Sequence, residues 1–144
     1  MTNAQKVFDI AMGLMDEVSE ATGATDTSDT REYRNRTILI LTALRGELYP
    51  FSDTYVDEIP GKRPIAAPVV DFESPLDLDD VLAQTVLPYG LAAQLLLDEN
   101  PASASFMQQR YEELLAMRSR DLPAASEDIT SIYGGIEHGQ FSRW

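Results

Sequence analysis

The chain contains no cysteine. That absence excludes disulfides, thiolate zinc sites, iron–sulfur clusters and cysteine nucleophiles together. Histidine is nearly as scarce. His138 is the sole one, so a single chain can build neither a multi-histidine metal site nor a Ser–His–Asp triad away from its C-terminal stretch. No GxxxxGK[ST], GxGxxG or HExxH pattern occurs. No apolar run approaches the ~20 residues that cross a bilayer. The opening MTNAQKVFDIAMGLMDE lacks a basic leader followed by a long apolar core, so no secretory signal is expected. A soluble, intracellular product without membrane contact is the expectation. Positive charge is also short: 11 Lys and Arg stand against 24 Asp and Glu, a net charge of −13. Binding to phosphate backbones needs clustered Lys and Arg, so no specific nucleic-acid binding is expected. Carboxylate pairs such as Glu112–Glu113 and Asp79–Asp80 are abundant, yet adjacent acids on an amphipathic helix are ordinarily solvated. Neither catalytic residues, nor a cofactor, nor a metal is expected.

What is present reads as one all-α domain. With 144 residues, 44% of them hydrophobic, the chain can enclose a core. Four segments carry helical spacing. The first spans about 3–22, with Thr2 or Asn3 as cap, Val7, Ala11, Leu14 and Val18 as its stripe, Phe8, Met12 and Met15 widening it, and Gly23 as its stop. The second spans 30–49, capped by Asp29 (with Glu32 in a capping box) or by Thr30. It runs through Tyr33, Thr37, Ile40, Leu41, Leu44 and Leu48, and Pro50 closes it. Arg31, Arg34, Arg36 and Arg45 on this helix read as a solvated flank paired with acidic neighbours, or as a contact surface for one.

Residues 50–75 hold five of the eight prolines and read as an arm or loop across the bundle, with IAAPVV extended and a short hairpin around IPGKRP. The third helix spans 77–99, with Asp77, Asp79 and Asp80 complementing its dipole. Its apolar residues, Val81, Leu82, Val86, Leu87, Leu91, Ala92, Ala93, Leu95, Leu96 and Leu97, cover nearly every side, so it is the central element. Pro88 demands a break or kink there, and Gly90, Ala92 and Ala93 leave a shallow face for a close neighbour. Asn100–Pro101 starts the fourth helix, 101–119, which folds back antiparallel with Ala104, Met107, Tyr111, Leu114 and Leu115 on one stripe. Residues 120–144 form an irregular tail. Its IYGGIEHGQFSRW interleaves Tyr133, Ile136, Phe141 and Trp144 with glycine, the composition of a segment that docks onto its own domain or onto a partner.

Three stretches, DTREYRNRTILILTALRGELYPFSDTY, VLPYGLAAQLLLDENPASASFMQQRYEELLA and IYGGIEHGQFSRW, resemble the small acidic helical proteins encoded among the capsid and tail genes of tailed bacteriophages and prophages. Within that group the chain is most similar to head–tail connector (adaptor) proteins, which share a Leu- and Ala-rich helix with an internal LP followed by an F…RYEE-like helix. The resemblance implies a virion structural protein, made in the bacterial host cytoplasm. It would form a homo-oligomeric ring between portal and tail components, with arms reaching neighbouring subunits. An acidic protein that mimics DNA, or a small regulatory binding protein without a virion role, is the alternative, and it would use the same net charge.

Overall fold

A computed structural model describes residues 1–55, 61, 62 and 64–120. Residues 59, 60 and 63 of the expected IPGKRP hairpin, and all of the expected 120–144 tail but Arg120, lie outside the described residues. Those described form an all-α fold of four helices: α1 (Ala4–Leu14), α2 (Arg31–Leu48), α3 (Leu87–Leu96) and α4 (Pro101–Arg118). No strand forms among them, and the only pairing of extended chain is an isolated antiparallel bridge between Asn3 and Pro75.

Asn3 caps α1 from an extended backbone, its side-chain oxygen accepting from the Lys6 N–H at 3.0 Å. The helix ends eight residues before the expected Thr22. Asp16 adopts the left-handed region (φ 59°), and its N–H donates to Gly13 O while Glu17 N–H donates to Met12 O. This is a Schellman closure with aspartate where glycine is usual. Gly23 also has positive φ, but it closes a separate turn onto Ser19.

At the start of α2 the Asp29–Glu32 capping box is not made. Thr30 holds the capping position without capping, because its hydroxyl donates to the Thr25 carbonyl at 2.6 Å. The helix then tightens into a 3₁₀ turn at Tyr49–Phe51 containing Pro50.

The third helical run starts later than expected because Asp77 has positive φ (53°), which a continuing helix does not allow. Asp79 is the residue that caps, its carboxylate accepting from Leu82 N–H at 2.8 Å. Leu82–Val86 forms a π-helical turn, with Leu87 N–H donating to Leu82 O, and α3 proper begins at Leu87–Pro88. Pro88 has no N–H to give and its ring crowds the carbonyl four residues back. A wider turn placed immediately before it relieves both, so the run bends its hydrogen bonding without breaking. Leu87, Pro88, Gly90 and Leu91 are all buried there.

α3 is the central element, packing on α1, α2 and α4. Leu82, Leu87, Leu91 and Leu95 are fully buried, each contributing roughly 1.5–3 kcal/mol relative to exposure. Val81 and Leu97, at its two ends, are instead exposed. After Leu97–Asn100 the chain turns back, with Asn100 capping (Ser103 N–H, 3.2 Å) and Pro101 in the first turn. α4 then lies against α3, and the Tyr111 ring presses on Gly90.

The proline-rich connection crosses the bundle. Val69, Leu76 and Leu78 are buried, Phe72 meets Phe8 edge-on at 5.8 Å, and Val69 N–H donates to the Thr42 hydroxyl.

Candidate interaction surface

The connection stays on the bundle because α2 sends a guanidinium into it. Arg45 falls on the buried stripe of α2, between Leu41, Leu44 and Leu48. Its side chain is 6% exposed, with Nε donating to the Leu76 carbonyl and Nη1 to the Ala67 carbonyl, while Nη2 lies 3.5 Å from the Asp77 carboxylate. The five fixed donors of arginine suit this role. A single side chain fastens the connection at two points nine residues apart in sequence. Asp77, in its left-handed conformation, is turned toward the guanidinium.

Two further arginines of α2 also turn to protein contacts. Arg34 lies over the Phe72 ring (3.8 Å to the centroid) and donates to Gln5 Oε1 at 2.9 Å, and Arg36 donates to the Leu95 carbonyl at 3.1 Å. The solvated flank expected on α2 is thus largely absent. Its arginines staple the connection, α1 and α3 to α2, and of the four only Arg31 is exposed.

The acidic groups are used in the same local way. Asp80 accepts from the Thr2 N–H (2.9 Å) and hydroxyl (2.8 Å), and these bonds hold its carboxyl below the usual carboxylate range. The Ser74 hydroxyl does the same for Asp71. Asp79 caps its helix and pairs with Arg118 at 3.3 Å, while Glu112 and Glu113 accept from Gln108 and Gln109 one turn earlier. Tyr33 donates to Glu99, and burial followed by that bond pushes its hydroxyl up to about 12. Burial and the charge of Glu47, 3.2 Å away, raise Tyr111 further. These carboxylates serve caps, ion pairs and helix-surface hydrogen bonds, and among the described residues no cluster is arranged to hold a metal. No described helix is long and apolar enough to cross a membrane.

Apolar side chains also stand open on this acidic surface. On the connection, Ile65 is 92% and Val70 77% exposed, between and beside Pro64 and Pro68. Two concave places accompany them. A cleft of about 440 Å³ is lined by Gly46, Tyr49, Pro50, Tyr55, Pro64 and Ala66, and an open groove of about 370 Å³ runs between α3 and α4 past Ala93, Leu97, Ala104 and Gln108. The residues expected to anchor an interaction, Tyr133, Ile136, Phe141 and Trp144, lie outside the described residues. Sequence reading missed both Arg45 and the tyrosine cleft. The signal for Arg45 was its register: it continues the Thr37, Leu41, Leu48 face, where a charged residue needs buried acceptors. The cleft had no comparable signal, because its walls come from two segments brought together only by folding. Comparison with protein families, curated proteins and solved structures found no match.

Proposed function

We propose that the protein is a non-enzymatic assembly component of a tailed phage or prophage particle. In this reading it is a head–tail connector that joins portal to tail as one copy in a ring. The observation that carries it is the exposed apolar pair Ile65 and Val70 on a proline-stiffened connection fastened to the bundle by Arg45. A stiff segment with ready apolar side chains grips a neighbour at small ordering cost. The connector-like sequence stretches give that neighbour its identity.

Co-sedimentation with assembled portal protein tests the reading. The wild-type chain should pellet with portal, and a variant with both Ile65→Asp and Val70→Asp should stay in the supernatant while unfolding at the same denaturant concentration, since both side chains are already in water. Failure of the wild-type chain to bind, or equal binding by the variant, would sink it.

One observation favours the DNA-mimic alternative. With Arg34, Arg36 and Arg45 engaged in protein contacts, fewer positive charges interrupt the acidic exterior than the sequence suggests. That reading requires a complex with a basic DNA-binding protein that weakens steeply with salt.

A further inference from the structure

The cleft beside the last turn of α2 has an aromatic and pyrrolidine lining. The Tyr49 and Tyr55 rings meet edge-on, centroids 5.4 Å apart at 65°, and among the described residues Pro50, Pro64 and Ala66 also line the cleft. Gly46 leaves one side open: a Cβ placed on it would meet nothing within 4 Å. Such a lining suits a flat aromatic side chain, which gains from edge-on ring contacts beyond its buried area.

The chain itself brings a candidate to this place. From the middle of α4 the Tyr111 hydroxyl donates to Glu47, the neighbour of Gly46. Arg118 then lies 3.4 Å from Asp53, two residues before Tyr55. The sequence continues for 24 residues beyond Arg120 and carries Tyr133, Ile136, Phe141 and the only tryptophan, Trp144. A chain of that length reaches at most about 80 Å, so its end can arrive at the cleft from where α4 stops.

We infer that this cleft is the docking site of the chain's own C-terminal segment, with the Trp144 indole as the seated side chain. Indole offers the largest apolar face in that segment, and its N–H can reach a tyrosine hydroxyl or a carbonyl at the rim. The inference stands independently of the connector reading, since it concerns one chain alone.

Trp144 fluorescence in the full-length protein tests it. The expected result is blue-shifted emission with weak acrylamide quenching, the same at every protein concentration. Gly46→Leu fills the cleft from a position with free space and replaces a helix-interior glycine by a stronger helix former, so folding is retained. In that variant emission should move to the red and quenching should reach that of free N-acetyltryptophanamide. Gly13→Leu, at a helical glycine with equally free space on α1, should leave both unchanged. Fully exposed emission in the wild-type chain, or protection that survives Gly46→Leu, would overturn the assignment. So would protection that grows with concentration, which would make a second copy the occupant.

Discussion

Arg45 shows how one side chain can determine the course of a long connection. Its buried guanidinium meets two backbone carbonyls and the half-exposed Asp77 carboxylate, and leaving the buried Leu76 carbonyl unsatisfied costs about 1–3 kcal/mol. Arg45→Ala should therefore lower the unfolding free energy by about 2–4 kcal/mol in denaturant titrations, with hydrogen exchange rising first at residues 67–77. Arg45→Lys should not restore it, because one ammonium cannot span both carbonyls. Asp80 acts at the same scale through titration. Its folded-state pKa is lowered by the Thr2 hydrogen bonds, so its contribution is present in full above the unfolded aspartate pKa of about 3.9. That contribution disappears as pH falls through the lower folded value. Asp80→Asn should flatten the fall in thermal midpoint below about pH 4, and an unchanged acid profile would count against the Thr2–Asp80 contact.

At the scale of elements, the four helices and the central place of α3 were legible because apolar spacing and caps at Asn3 and Asn100 are local signals. The errors sit where backbone conformation departs from residue preference. Asp16 and Asp77 both take left-handed φ, a conformation that residue preference assigns first to glycine. The π turn before Pro88 is a compromise between a buried helix and a residue lacking a donor, so the sequence shows the conflict without its resolution. The small-residue face was read correctly, and it carries a quantitative consequence. A Cβ at Gly90 would stand 2.9 Å from two atoms of the Tyr111 ring and 3.3 Å from Leu44. The gain in helix propensity from Gly90→Ala, about 1 kcal/mol, is then outweighed by overpacking of about 1–3 kcal/mol. Thermal denaturation should show a net loss, and a stabilised variant would mean that α4 sits farther from α3 than described.

For the molecule as a whole, the dominant electrostatic fact is the net charge of −13. Ion pairs on its surface, such as Arg110–Glu113 and Arg34–Asp26, are exposed enough to contribute about 1 kcal/mol or less each. Self-repulsion among unpaired carboxylates is the larger effect. Raising salt from 10 to 150 mM shortens the screening length from about 30 to about 8 Å, so the melting temperature at pH 7 should rise. A fall would show that attractive pairs dominate after all.

The N-terminal tether has a consequence for the order in which the protein is made. Thr2 is held by Asp80 and Gln84, Ala4 and Gln5 donate to the carbonyls of Ser74 and Phe72, and α1 packs chiefly against α3. Thr25 and Arg34 reach α1 early, but the helix it packs on most, α3, is translated long after it. At about 5–20 residues per second, the stretch from Leu14 to the end of α3 at Leu96 takes roughly 4 to 16 seconds to emerge. An 11-residue helix is too short to persist alone in water, where about 12–15 residues are already marginal. Val7, Phe8 and Met12 therefore leave the ribosome uncovered and wait for the chain that will bury them, an exposed apolar stretch on which a chaperone can act.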